Sequence, residues 1–181
     1  MGLEYKDLDD VTRALMIAEI DRDIAAGTLY ISERLSPQGA LAYPQLIREA
    51  AKQDTDVSLA VQLSTLLNSH DKPRKLKSGG YSKPPIMAHN AHETLAEGEF
   101  NRFYIRAICL RALQNGHATV EIYRAKIIDN LSSESIAKLG SHIVAATLLE
   151  DLRSSPSVDA ALGLPPGPKS GFSVKLHDTA P

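Results

Sequence analysis

The sequence has 181 residues, of which 43% are hydrophobic and 23% are charged. That length and composition are typical of one medium-sized globular domain with a substantial core. One cysteine, Cys109, excludes an internal disulfide and a multi-cysteine metal site, and no run of about 18 apolar residues offers a membrane span. The acidic start, MGLEYKDLDD, lacks the apolar region of a signal peptide. We therefore expect a cytoplasmic protein with no membrane partner.

The formal net charge of −2 conceals an uneven distribution of charge along the chain. Residues 1–60 carry six basic and eleven acidic side chains, residues 61–126 carry ten basic and five acidic ones, and residues 127–181 carry four basic and six acidic ones. Opposite charges separated in this way can pair within the chain, between copies of the chain, or with an anionic partner.

Residues 1–69 are predicted to form a largely helical amino-terminal part. Asp9 or Asp10 can cap a first helix, and prolines that follow a serine or a tyrosine favour helix starts at Pro37 and Pro44. The predicted elements are a helix over 10–26 that ends at Gly27, a strand or extended connector over 28–32, a helical turn over 37–42, a helix over 44–53, and a helix over 55–68 capped by Thr55.

Residues 70–90 are predicted to form a basic connector with three prolines and a Gly-Gly pair. Such a segment has too few apolar side chains to order itself by burial, and long loops inside compact proteins are commonly functional or disordered. Its cations are candidate contacts to a protein partner or to the backbone of a nucleic acid: Lys72, Arg74, Lys75, Lys77 and Lys83. No zinc-finger spacing or aromatic RNA-binding motif accompanies them.

A long apolar helix, predicted over residues 92–114, is the expected centre of the packing. Apolar side chains cover nearly every face of it, so neighbours are expected to bury it on several sides. The exception is a short charged stripe made of Glu99, Arg102 and Arg106. Two interpretations of the stripe are open: ion pairs with the acidic first helix, or a bidentate anion site that Arg124 of the following strand joins.

The main part of the chain, residues 91–181, also contains two predicted strands. The first covers residues 119–127, and the second covers residues 171–176 within an extended carboxyl-terminal tail. Phe172 and Val174 alternate on one side of the second strand, which needs a sheet edge of this chain or of another chain, so both are candidate partner contacts. Short helices are predicted before Gly140, over 145–153 and over 158–162. The predicted fold is α+β, mostly helical, with a small sheet that pairs residues 119–127 with residues 171–176 and packs on the long helix.

No motif of an active site, cofactor site or metal site stands out in the sequence. A P-loop, a dinucleotide-binding glycine pattern, a nucleophile elbow and a kinase signature are all missing. His92 and Glu93 share a predicted helix start, but His89 precedes it and no third ligand clusters with them. We therefore predict no cofactor, no metal and no enzymatic activity.

These observations lead to the hypothesis of a non-enzymatic structural subunit of a larger assembly, with a phage or prophage virion as the first choice. Its expected partners are other protein subunits, including copies of itself, and its expected locations are the cytoplasm and then the virion. Two alternatives stay open. One is a nucleic-acid-binding accessory protein that uses residues 72–83, and the other is an enzyme with an unrecognised site around Arg102, Arg106 and the histidines.

Overall fold

A computed structural model describes residues 2–127, 133–164 and 171–177 of the chain. These residues form an α+β fold, as predicted. In chain order, the elements are α1 (Asp10–Ala26), α2 (Pro37–Gln53), α3 (Asp56–Leu63), α4 (Ala91–Gln114), β1 (Thr119–Arg124), α5 (Ser133–Lys138), β2 (His142–Val144), α6 (Ala145–Ser154), α7 (Val158–Ala161) and β3 (Phe172–Lys175). None of the described helices combines the length and the hydrophobicity that a membrane span requires. Residues 165–170 and 178–181 of the predicted tail lie outside the described residues.

Helix α4 is the centre of the packing, as its apolar faces predict. It contacts α1, α3 and α6, and it also contacts β1 and β3 of the sheet. Phe100, Phe103 and Tyr104 of this helix are fully buried. A single hydrophobic core takes side chains from residues 1–69 and from residues 91–181, so the two predicted parts pack together as one unit.

Side-chain hydrogen bonds fix where the first three helices begin. Asp9, Ser36 and Thr55 each accept a backbone N–H from the first turn of α1, α2 and α3, respectively. Gly27 ends α1 with a φ of 67°, and its N–H bonds carbonyls of the last turn. The starts of these three helices and the end of α1 could be predicted from the sequence, because each depends on only a few adjacent residues.

Helix α2 runs without interruption through Pro44, although a turn over 37–42 and a separate helix over 44–53 were predicted. Pro44 has no N–H with which to bond the carbonyl four residues earlier. The helix continues because Tyr43, Ile47 and Ala51 bury their side chains in the core. A proline inside a helix costs about 3 kcal/mol, because its ring also crowds that carbonyl, and the burial of these side chains outweighs this cost since each large one contributes about 1.5–3 kcal/mol.

Helix α3 is shorter than predicted and ends at Leu63 rather than at Asn68. Beyond the helix, the backbone turns to meet the segment before α2, and the Ser36 N–H donates to the Leu66 carbonyl at 2.8 Å. This tertiary hydrogen bond replaces the helical ones that the sequence pattern suggested. Residues 28–32 form an extended connector and no strand.

The sheet is antiparallel, with the strand order β2-β1-β3. The predicted pairing of the two strands is confirmed, with Val174 of β3 opposite Ile122 of β1. Both of these side chains are buried beneath α4, together with Val120. Because side chains alternate along a strand, Glu121 lies on the other face, which we call the outer face. The third strand, β2, was not predicted.

Candidate functional site

The predicted basic connector forms an antiparallel hairpin, which we call the basic hairpin and define as residues 69–87. Its two arms exchange backbone hydrogen bonds, and isolated β-bridges form at two points along them. The Asp71 N–H donates to the Pro85 carbonyl at 2.9 Å, and the Ser82 N–H donates to the Arg74 carbonyl at 2.8 Å. Main-chain hydrogen bonds therefore supply the order that the few apolar side chains of this segment cannot supply.

The tip of the basic hairpin depends on glycine. Gly79 and Gly80 have φ values of 88° and 79°, a region that residues with a Cβ atom rarely adopt. The Leu76 N–H donates to the Gly80 carbonyl at 3.1 Å and closes the turn. A Gly-Gly pair between two extended runs is the signal by which the sequence could have revealed this hairpin.

Two ion pairs fix the base of the basic hairpin to the connector that precedes α2. Arg34 Nη2 lies 3.1 Å from Asp71 Oδ2, and Lys72 pairs with Glu33. The hydrogen bond from the Lys72 N–H and the charge of Arg34 lower the pKa of Asp71 despite some desolvation. Lys72, a predicted partner contact, is thus engaged within the chain.

The basic hairpin carries cations and apolar side chains that are open to solvent. Four exposed cations form no direct ion pair with any residue in the described part of the chain: Arg74, Lys75, Lys77 and Lys83. Leu76, Tyr81 and Ile86 of the same hairpin are 45%, 71% and 80% exposed. Exposed apolar area of this kind marks interaction sites when it is concentrated in one place.

Arg106 does not offer its charge to a partner, because it is fully buried against α1. Its Nε lies 2.8 Å from Glu19 Oε2, and its Nη1 lies 2.6 Å from Asp23 Oδ2. Arg153 of α6 also reaches Glu19, at 2.6 Å. Burial would raise the pKa of Glu19, but the hydrogen bonds and charges of Arg153 and Arg106 outweigh it and lower the pKa. Of the two interpretations of the charged stripe, ion pairing with the acidic first helix is therefore the one found at Arg106, which corrects its choice as a candidate contact to an external anion.

Arg102 is also buried and paired within the chain. Its Nη2 lies 2.6 Å from Glu99 Oε2, and the Tyr43 hydroxyl donates to the same oxygen at 3.4 Å. Burial raises the pKa of Glu99, although the charge of Arg102 opposes that shift. The Arg102 Nε is buried without a hydrogen-bond partner among the described residues. The predicted external contact at Arg102 is corrected in the same way, because its partner is a carboxylate of its own helix.

Phe172 and Val174, predicted as contacts to a partner, lie in the core of this chain. They are 1% and 0% exposed, because β3 takes its place beside β1. The Asn101 side chain of α4 donates to the Phe172 carbonyl at 2.8 Å. Arg124 is half-buried at the end of β1, and its Nε donates to the Lys126 carbonyl at 3.0 Å. None of these three candidate contacts belongs to the basic hairpin.

A cleft of about 370 Å³ opens beside the base of the basic hairpin. Glu99 of α4 lines it, and so do Asp71 and Lys72 of the hairpin. A buried carboxyl group with a raised pKa is chemically suited to proton transfer. Neither Arg102 nor Arg106 lines this cleft, and no histidine of the described residues does so. The groups named for an unrecognised enzyme site are therefore not brought together there.

His92 and Glu93 line a smaller cavity of about 100 Å³, together with Asp56 and Glu97. Burial raises the pKa of Asp56, and the Leu3 N–H, which donates to its Oδ2 at 3.0 Å, offsets that shift only in part. The other Asp56 oxygen is buried without a hydrogen-bond partner among the described residues. This cavity contains carboxylates and one histidine, but the cluster of three metal-ligand side chains found in the described residues lies elsewhere.

That cluster consists of Glu121, His142 and His177 on the outer face of the sheet. Sequence reasoning missed it because β2 was not predicted. Only the register of the sheet places His142 directly opposite Glu121.

Comparisons of the chain with protein-family models, with curated proteins and with solved structures find no match. A function for this chain is therefore inferred from the geometry and the charge of the described residues.

Proposed function

We propose that the protein is a non-enzymatic subunit of an assembly that includes copies of itself, and that it docks through the basic hairpin on an acidic surface of a neighbouring copy. One observation carries the proposal. The basic hairpin combines four exposed cations that lack an ion pair in the described residues with three exposed apolar side chains, of which Leu76 and Tyr81 lie near the tip and Ile86 lies near the base. A solvated loop needs no such apolar side chains, whereas a docking element buries them on contact.

The basic hairpin is ordered before it binds. Its arms are joined by backbone hydrogen bonds, and its base is held by the ion pairs of Arg34 with Asp71 and of Lys72 with Glu33. A preformed element loses less conformational entropy on association than a disordered loop does. The exposed ion pairs at the base contribute little to stability, so we assign them the role of orienting the hairpin.

The charge of the rest of the chain favours a protein partner over a nucleic acid. The whole chain has a net charge of −2, and the basic hairpin holds five cations and one carboxylate, so the remainder of the chain carries −6. A second copy therefore presents an acidic body to the hairpin. The same acidic body repels a long polyanion that approaches the hairpin.

A nucleic-acid-binding accessory protein is the second candidate, and the four outer cations with Tyr81 are the observation that favours it. Such binding would weaken steeply with salt, because each phosphate contact releases counterions. Fluorescence anisotropy with a labelled DNA duplex and a labelled single-stranded RNA tests it. Salt-sensitive binding that the charge-reversal variant below abolishes would replace the self-assembly proposal with this one.

Within the proposal, a phage or prophage virion is the kind of assembly that we would test first. The support for a virion is the basic exposed loop of the sequence together with its lack of active-site motifs. We expect mass spectrometry of purified phage particles to find peptides of this chain. Their ratio to the main particle subunit should stay constant through a density gradient. Their absence from washed particles would remove the virion and leave the self-assembly proposal to its own test.

Sedimentation velocity over a range of micromolar concentrations tests the self-assembly. We expect concentration-dependent association at low salt that weakens in about 0.5 M salt, where charges are screened within a few ångströms. The change Lys75→Glu should weaken association, and the double change Lys75→Glu with Lys77→Glu should suppress it. The matched control for the single change is Lys52→Glu, at an exposed lysine at the end of α2, which should leave association unchanged.

The change Tyr81→Ser tests the apolar part of the surface. It removes an aromatic ring that is 71% exposed, so it should weaken association without altering the net charge. A chain that stays monomeric at all concentrations and salt conditions refutes the proposal. Equal effects of Lys75→Glu and of Lys52→Glu would show that only the overall charge matters, and would refute the assignment to the hairpin.

A further inference from the structure

We propose that Glu121, His142 and His177 form a binding site for one divalent transition-metal ion of the zinc class. Each side chain offers one ligand atom, and these atoms lie within 4.8 Å of one another. The ring centroids of His142 and His177 are 4.7 Å apart, with the rings tilted by 46°. Two imidazole nitrogens and one carboxylate oxygen are a ligand set that zinc accepts in proteins.

The sheet holds the three side chains on one face. Glu121 is in the central strand β1, and its direct cross-strand neighbours are His142 of β2 and Lys175 of β3. His177 follows Lys175 by two positions, which is the spacing that keeps side chains on the same face of an extended chain. The three ligands therefore come from all three strands or their continuations, and the backbone fixes their spacing.

Small side-chain rotations complete the coordination geometry. Zinc–nitrogen distances of about 2.0–2.1 Å in a tetrahedron separate the ligand atoms by roughly 3.4 Å. The ligand atoms here are at most 4.8 Å apart. Both histidines are exposed and Glu121 is half-buried, so their rings and carboxylate have room to turn toward a common ion. Water takes the fourth position of a three-ligand site.

Lys175 is the natural competitor of the ion. Its Nζ lies 3.3 Å from Glu121 Oε2, so an ammonium group already neutralises the carboxylate. A divalent ion held by the two histidines as well would displace it. The site is therefore expected to bind more tightly when this lysine is replaced by methionine. That dependence separates coordination at this site from loose binding by scattered surface histidines.

Calorimetric titration of the full chain with zinc chloride tests the proposal, and magnesium chloride serves as the negative probe. We expect one zinc ion per chain and no heat of binding with magnesium, which prefers oxygen ligands. His142→Ala and His177→Ala should each weaken zinc binding by more than the roughly 10- to 100-fold loss that follows removal of an outer-shell partner. His70→Ala is the control, because His70 lies in the basic hairpin and should leave binding unchanged.

The fold of each variant is checked by circular dichroism, and Lys175→Met supplies a change that should strengthen binding rather than weaken it. Substitution of cobalt for zinc adds a visible absorption band that reports tetrahedral coordination, and this band should vanish in His142→Ala. No binding at micromolar zinc overturns the proposal. Equal losses in His70→Ala and His142→Ala overturn it as well, and so does zinc binding that Lys175→Met weakens.

Discussion

Replacing Arg106 by methionine removes the central cation of the ion-pair network between α1 and α4. Methionine keeps most of the length of the arginine side chain, so the change takes away charge and hydrogen bonds rather than bulk. Arg106 is 0% exposed, and it contacts both Glu19 and Asp23. After the change, two carboxylates remain in the interior with one arginine partner fewer.

The size of the effect follows from what those carboxylates retain. Removal of one member of a buried ion pair costs about 3–5 kcal/mol, because the remaining charge stays desolvated and uncompensated. Glu19 keeps Arg153 at 2.6 Å, and Asp23 keeps the half-exposed Arg22 at 3.4 Å. We therefore expect the lower end, about 3 kcal/mol. For a chain of this size, that corresponds to a fall in Tm of roughly 6–12 °C.

Urea denaturation followed by circular dichroism measures the free energy of unfolding. The matched control is Arg48→Ala, which removes an exposed ion pair to Asp21 of the same helix α1 and should cost less than about 1 kcal/mol. The double change Arg106→Met with Asp23→Asn should recover part of the loss, because it removes one of the unpaired charges. A cost for Arg106→Met no larger than that of Arg48→Ala would refute the reasoning.

The difference in the free energy of unfolding between the wild type and Arg106→Met depends on pH in a direction that the structure sets. The pKa of Glu19 is lowered in the folded chain, so its contribution to stability is present above the pKa of an unfolded glutamate and is lost as the pH falls through the folded pKa. The difference between the wild type and Arg106→Met should therefore narrow below about pH 4. A difference that grows on acidification would contradict the assignment.

Three other predictions concern single buried groups. Gly39→Ala should destabilise the fold by about 1–3 kcal/mol, because its Cβ would lie 2.3 Å from the Leu66 carbonyl oxygen. Gly98→Ala, whose Cβ would have nothing within 4 Å, should stabilise α4 by about 0.5–1 kcal/mol. Urea denaturation measures the free energy of unfolding of both variants, and equal changes in the two would contradict the prediction. Burial raises the pKa of Asp56 in the folded chain. The contribution of this group to stability is therefore fully present below the pKa of an unfolded aspartate, and it is lost as the pH rises through the pKa of Asp56 in the folded chain. Asp56→Asn should therefore gain stability relative to the wild type as the pH rises above about 4, the pKa of an unfolded aspartate, and a relative loss would count against it. Burial raises the pKa of Cys109 to about 12, so a thiol reagent at neutral pH should label it only after denaturation, and rapid labelling of the folded chain would disprove its burial.

Local signals allowed a large part of the helical structure to be predicted. The Asp9 cap and Gly27 fix α1 through contacts within one helical turn, and such signals are readable in a sequence. Helix α2 was harder, because its continuity through Pro44 depends on burial against other elements. Strand β2 was missed because three residues carry almost no periodicity and the strand forms only by pairing with β1.

The candidate sites divide in a similar way. The cations of the basic hairpin could be named from composition, because a basic segment with few apolar residues stays at the surface. Gly79 and Gly80 indicate a turn in this segment. They do not specify a hairpin, because a Gly-Gly pair occurs in many kinds of turn. The cluster around His142 could not be found, since the adjacency of His142 and Glu121 exists only in the register of the sheet.

The internal ion pairs also show how the uneven charge distribution is used. Arg106 and Arg111 of the basic middle region pair with carboxylates of the acidic start, and Lys72 pairs with Glu33. Much of the opposite charge is thus neutralised inside one chain. The outer cations of the basic hairpin are not neutralised by direct ion pairs in the described residues. Exposed charges act over about 10 Å at 0.1 M salt, so the hairpin presents an unbalanced positive field, which is the basis of the proposed docking. The buried arginines therefore explain how α1 and α4 come together, whereas the exposed cations of the hairpin carry only the proposed recognition.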